Sequence, residues 1–158
     1  MTPSLPLKQW IKAALIDIEA EETTEPPEDI RAGKGEVILV VDDETSILEI
    51  TRETLETYGY SVMSAHDGAE AVALYAQHQE AIPLVITDMM MPVMDGAATV
   101  RALRKVNPHV KIIASSGYME DNKISELLGK NVDGFLQKPY TAEKLLITLH
   151  EVLGRTGE

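Results

Sequence analysis

Five short apolar runs, each followed by a segment of helical pattern, constrain this chain more than any other feature. "EVILVV", "YSVMSA", "PLVIT", "VKIIASS" and "DGFLQ" are separated by stretches whose apolar residues recur every three or four positions. After the first run, Ile47, Leu48, Thr51, Leu55 and Tyr58 share one helical side, while Glu49, Arg52, Glu53 and Glu56 share the other. Gly59 ends that helix. Asp67 with Glu70 three residues later predicts a capped start for "GAEAVALYAQH". Asp95 precedes "GAATVRALRKV", which carries its basic residues in the last turn and ends at Asn107 and Pro108. A shorter helix is expected over "EDNKISELLG". A final one, "AEKLLITLHEVL", is capped by Thr141 and closed by Gly154. Strands alternating with helices in this way imply an α/β fold. Its parallel sheet is covered on both faces, and its crossovers are right-handed.

The pattern begins at residue 36. Before it, "AEETTEPPEDIRAGKGE" is acidic, carries proline and glycine and is almost without large apolar residues, as a linker is. Further upstream, Leu7, Trp10, Ile11, Ala14, Leu15 and Ile18 predict a short amphipathic helix. The expected organisation is an N-terminal extension over 1–35, a domain over 36–154 and a tail over 155–158. Only the tail follows the last helix, so no DNA-binding output domain is expected after it. The glycine-lysine-glycine string at 33–35 lacks the spacing of a phosphate loop and reads as a hinge.

Composition removes several function classes. With no cysteine, thiol catalysis, disulfides and thiolate zinc sites are excluded. A formal net charge of -12 disfavours contact with nucleic-acid backbones. No apolar run has the length of a membrane span, and the N-terminus lacks the form of a signal peptide, so a cytoplasmic location is expected.

Ligands of parallel α/β sheets bind beyond the carboxyl ends of the strands. There stand Asp42, Asp43 and Glu44 after the first strand, Asp88 at the end of the third, Ser115 and Ser116 ending the fourth, and Lys138 with Pro139 after the fifth. Carboxylates crowded on one rim must share a proton or hold a cation. Oxygen-only ligands suit Mg²⁺, with water and phosphate completing its shell. Lysine and a hydroxyl would then hold phosphoryl oxygens around an aspartate nucleophile.

"ILVVDDE", "TDMMMPVMDG", "ASSGY" and "FLQKPY", in this order, resemble the receiver domain of two-component response regulators across residues 36–154. The spacings from Asp43 to Asp88 and from Ser116 to Lys138 also fit that family. The resemblance implies a flavodoxin-like (βα)5 fold with strand order 2-1-3-4-5. It makes Asp88 the phosphoacceptor, Asp42 and Asp43 the Mg²⁺-binding acidic pair, and Met90 a metal ligand through its backbone carbonyl. It makes Ser116 the hydroxyl that moves towards the phosphate, Lys138 its pairing ammonium and Phe135 the switch aromatic. Ser115 is the competing hydroxyl, and plain core packing is the competing role for Phe135.

The implied partners are a sensor histidine kinase or a histidine phosphotransfer protein. A homodimer could form through the fourth helical segment, the fifth strand and the final helix. The acidic connector, "DMMMPVMDG" and "KIIASSGY" look like receivers at the C-terminus of hybrid sensor histidine kinases, with a freestanding single-domain regulator as the alternative. The kinase domain itself is absent from this chain. Three other classes fit less well. An aspartyl-nucleophile phosphatase of the haloacid dehalogenase kind needs D-x-D after the first strand, where this chain has "DDE". An FMN carrier needs a hydroxyl-rich loop there, and an inactive adaptor would lack one of the essential groups. Met90 and Tyr118 offer no acidic or amide group beside the phosphoacceptor, so slow self-dephosphorylation is expected.

Overall fold

A computed structural model describes residues 33–117 and 132–154. The N-terminal amphipathic segment, most of the acidic linker, the helix expected over "EDNKISELLG", Tyr118 and the tail lie outside the described residues. The elements in chain order are β1 (Val37–Val41), α1 (Thr45–Thr57), β2 (Ser61–Ala65), α2 (Gly68–His78), β3 (Leu84–Asp88), α3 (Gly96–Val106), β4 (Lys111–Ser116), β5 (Gly134–Gln137) and α4 (Ala142–Leu153). The five strands form one parallel sheet in the order β2-β1-β3-β4-β5.

The apolar runs are continuous because the sheet is buried on both sides, and side-chain alternation divides each strand between two cores. Leu39, Val41, Val85, Ile112 and Ala114 pack with Ala71, Tyr75, Val100 and Leu103 of α2 and α3. Ile38, Val40, Leu84, Ile86, Ile113 and Leu136 pack with Leu48 and Leu55 of α1 and Leu145, Leu146 and Leu149 of α4. Ile50, outside the predicted stripe of α1, is also buried, beside Thr51.

Helix starts follow the capping chemistry read from the sequence. Asp67, Asp95 and Thr141 accept hydrogen bonds from the amides of Glu70, Ala98 and Lys144. Helix α1 begins differently. Its N-cap Glu44 makes no side-chain cap, and the Glu44 amide donates instead to Asp42 Oδ1 at 2.9 Å. After α1, Gly59 turns the chain at φ +95°, a conformation that L side chains rarely adopt, and a Cβ there would lie 2.6 Å from the Gly33 carbonyl oxygen. The chain that leads into β1 is thereby fixed at the rim opposite the carboxyl ends of the strands.

Candidate functional site

Strand ends bring the acidic groups together. Asp42 continues β1 and Asp88 ends β3. Both are buried, at 2% and 3% exposure, whereas Asp43 faces solvent. One carboxylate oxygen from each of the three lies within 4.8 Å of the others. Glu44, the third acid of the "DDE" run, is exposed and does not belong to this group. Lys138 reaches in from beyond β5, with Nζ 2.8 Å from Asp42 Oδ2 and 3.4 Å from Asp88 Oδ1.

Charge in this cluster is unbalanced, since three carboxylates face one ammonium. Burial pushes the Asp88 carboxyl up to about 6 and the charge of Asp42 adds to the effect, against the pull of Lys138 and the Met90 amide. Burial works to lower the Lys138 ammonium, but its hydrogen bond to Asp42 and the charges of Asp42 and Asp88 outweigh this and raise it. Burial and, after it, the charge of Asp42 disfavour the Asp88 anion, and a bound cation would offset both. The donor set, oxygen only and anionic, therefore fits a hard divalent cation such as Mg²⁺.

The loop after Asp88 is tied both to β4 and to that carboxylate. The Met89 amide donates to the Ser115 carbonyl at 2.8 Å, and the Met90 amide donates to Asp88 Oδ1 at 3.2 Å. Met89 and Met91 are buried in the core beside α2 and α3, which accounts for two of the three methionines. The Met90 side chain points to solvent at 67% exposure. Gly96 lets the loop close on itself, because a Cβ there would lie 2.7 Å from the Asp88 carbonyl oxygen and 2.5 Å from Met89 Sδ.

Nothing in the residue types signals the backbone at Val93. The Met94 amide donates to the Pro92 carbonyl at 2.7 Å, closing a γ-turn centred on Val93 at φ 65°. A β-branched residue is strained there, and this side chain is fully exposed and packs against nothing. Val93→Gly should therefore stabilise the fold by about 1 kcal/mol, most of the left-handed penalty less the added chain entropy of glycine. Urea denaturation checks this, and a lower midpoint for the variant would contradict it.

Register separates the two serines. Ser115 is the Cα partner of Asp88, and alternation sends it to the Ile113 side of the sheet, where Asp88 also lies. Ser116 goes to the other side with Ala114, the partner of Phe135. Ser116 is fully buried and Phe135 is partly buried against the core of α2 and α3. The Ser116 carbonyl accepts from the Lys138 amide at 2.8 Å, so the switch candidates and the lysine share one ladder end.

One neighbour of the site escaped sequence reasoning. Tyr140 is buried two residues after Lys138, and its hydroxyl lies 3.4 Å from Thr51 Oγ1 on α1. An aromatic residue directly after "KP" was the available signal, but its partner stands 89 residues away.

The family model for the response regulator receiver domain matches residues 38–150. The sensor kinase CckA of Brucella abortus is 35% identical over 116 residues, covering 73% of this chain and 12% of that protein. The response regulator MprA of Mycobacterium avium is 34% identical over 119 residues, 75% of this chain and 51% of its own. The chain thus spans about an eighth of the first relative and about half of the second. Among solved structures, CheY in a CheX-CheY-BeF3-Mg²⁺ complex from Borrelia burgdorferi is similar with a TM-score of 0.72, 26% identity and coverage of 75% and 90%. The receiver domain of the hybrid histidine kinase CckA is similar with a TM-score of 0.63, 28% identity and coverage of 74% and 98%.

Proposed function

The chain belongs to the family of response regulator receiver domains, and from that premise we propose that Asp88 takes a phosphoryl group from a phosphohistidine of a sensor histidine kinase or histidine phosphotransfer protein. The observation that carries the assignment to Asp88 is its place at the end of β3, beside both acids of the pair and within reach of Lys138. Asp42 is similarly surrounded but is already paired with Lys138 at 2.8 Å, whereas the ammonium stands 3.4 Å from Asp88, whose Oδ1 also accepts from the Met90 amide. A carboxylate oxygen of Asp88 attacks phosphorus as the phosphorus–nitrogen bond breaks, giving an acyl phosphate and returning the electron pair to the imidazole. Lys138 then leaves Asp42 to pair with a phosphoryl oxygen. Ser116, which stands on the Phe135 side of the sheet in the unphosphorylated protein, would move round the strand end to supply a hydroxyl to another, and Phe135 would follow it.

The carboxylates of Asp42, Asp43 and Asp88 and the backbone carbonyl of Met90 would hold Mg²⁺. When bound, Mg²⁺ neutralises the charge that otherwise keeps a phosphoryl group from three acids. Support comes from the anionic oxygen donor set, and from the related CheY, whose complex contains Mg²⁺ with beryllofluoride. The test is labelling by acetyl phosphate. Labelling should require Mg²⁺ and disappear with EDTA; equal labelling in EDTA would overturn the metal assignment.

Phosphorylation would bias a two-state equilibrium by a few kcal/mol and so alter the surface formed by the fourth helical segment, β5 and α4. That surface would bind a partner or a second copy. The receiver of a hybrid histidine kinase is the favoured parent, given the similarity to CckA, and a freestanding cytoplasmic regulator is the alternative. In this reading residues 36–154 are the receiver, 1–35 its tether and 155–158 a tail. No described helix is long and apolar enough to cross a membrane.

The phosphoryl group should be long-lived. Attack by water needs a polar group to orient it, and the residue two positions after Asp88 presents an exposed thioether instead. The expected half-life of the phosphoprotein is minutes or longer; a half-life of seconds after donor removal would contradict this.

A further inference from the structure

The chain at Lys138 is anchored on both sides, and one of the two anchors lies outside the sheet. On its N-terminal side, the Lys138 amide donates to the Ser116 carbonyl at the end of the β4–β5 ladder. On its C-terminal side the chain leaves the sheet through Pro139, and Tyr140 drives its ring into the core formed by α1 and α4. There the phenol meets Thr51 Oγ1 at 3.4 Å.

The behaviour of the threonines in α1 marks this contact as more than packing. A threonine inside a helix ordinarily returns its hydroxyl to the carbonyl four residues earlier. Thr54 does so on Ile50 at 2.9 Å, and Thr57 on Glu53 at 2.7 Å. Thr51, at 3% exposure, is paired with Tyr140 instead. A phenol buried without a partner would be costly, so each hydroxyl fixes the other. The pair joins the two segments that carry opposite charges into the site. Helix α1 follows Asp42 and Asp43 directly, and Tyr140 follows Lys138 by two residues.

We propose that Thr51 and Tyr140 are positioning residues for Lys138, holding its ammonium at the height where it can pass from Asp42 to a phosphoryl group on Asp88. This rests on the receiver reading above and deepens it. Neither side chain touches the reacting atoms. Their effect is on how often Lys138 occupies the productive position, and small misplacements of such a group lower rates out of proportion to stability.

The test compares capture of phosphoryl groups from acetyl phosphate at saturating Mg²⁺ in wild type, Thr51→Val, Thr51→Ser, Tyr140→Phe and the double variant Thr51→Val with Tyr140→Phe. Each hydroxyl-deleting single variant should slow capture by about 3- to 10-fold, while the Mg²⁺ concentration for half-maximal rate stays within about twofold. Thr51→Ser should retain the wild-type rate, and the double variant should be no slower than either single one, as two halves of one contact require. A wild-type rate in folded Tyr140→Phe, or losses that multiply in the double variant, would overturn the proposal. A second readout is independent of phosphorylation. The ¹⁵N signal of the Lys138 ammonium in the unphosphorylated protein should broaden or shift in Thr51→Val and not in Thr51→Ser, and an unmoved signal in both would also overturn it. Loss of Asp88-dependent labelling in the wild type, with the ammonium signal responding as described, would remove the receiver reading and leave the positional coupling standing.

Discussion

Lys138→Gln should slow phosphoryl capture from acetyl phosphate by about 100-fold, the scale set by removing one preorganised charge-stabilising donor from a reacting centre. The variant keeps a polar side chain but removes the ammonium that stands between Asp42 and Asp88. In the resting protein that ammonium also offsets part of the charge of three crowded carboxylates. Its loss makes the cluster more negative and should tighten cation binding. The two effects run in opposite directions, so the variant should react slowly yet reach half its maximal rate at a lower Mg²⁺ concentration than the wild type. Lys138→Arg should restore little of the rate, because a planar guanidinium cannot occupy the place of a compact ammonium 2.8 Å from Asp42. Slow capture that needs more Mg²⁺ than the wild type would mean that Lys138 acts through folding of the site.

Asp88→Asn should stabilise the protein when no divalent cation is present. The Asp88 carboxyl is raised from 3.8 to about 6, chiefly by burial and then by the charge of Asp42. Well below pH 3.8 the group is protonated in both the folded and the unfolded chain and contributes nothing. Between about pH 4 and 6 the unfolded chain has already released the proton while the folded chain retains it. Stability therefore falls as pH rises through that window, and the cost stays constant above it. A rise of this size corresponds to about 3 kcal/mol at full weight. The site opens to solvent beside Asp43, and screening there reduces the expected gain to about 1–2 kcal/mol, or about 3–8 °C in Tm. Thermal unfolding at pH 7.5 and about pH 3 in EDTA checks this. The difference between variant and wild type should be present at the higher pH and vanish at the lower, and Mg²⁺ should narrow it at pH 7.5. A variant less stable than wild type at pH 7.5 would mean that Asp88 is held by attraction to Lys138 more than it is repelled by its neighbours.

Much of the fold and the site is readable in the sequence for identifiable reasons. The strands announce themselves as continuous β-branched runs because both faces of the sheet are covered, and Asp67, Asp95 and Thr141 mark helix starts by local chemistry alone. The acidic pair, Asp88 and Lys138 are legible because a parallel sheet delivers every strand end to one rim. What depends on three-dimensional register is not legible. Ser115 and Ser116 are adjacent in sequence but lie on opposite sides of the sheet, and only the pairing of Ala114 with Phe135 places Ser116 beside the aromatic residue. Glu44 looks equivalent to its two neighbours, yet it leaves the cluster because the chain has already turned into α1. The Thr51–Tyr140 contact spans most of the domain, and a threonine on an apolar helical stripe gives no hint of its partner. Val93 carries its strain in a backbone angle that its side chain argues against.

Phosphorylation at Asp88 is tested most directly by intact-mass analysis after treatment with acetyl phosphate and Mg²⁺. Wild type should gain a single hydroxylamine-sensitive phosphoryl group, and Asp88→Asn should gain none under the same conditions. Equal labelling of Asp88→Asn, or a phosphoryl group that resists hydroxylamine, would contradict the assignment of Asp88 as phosphoacceptor.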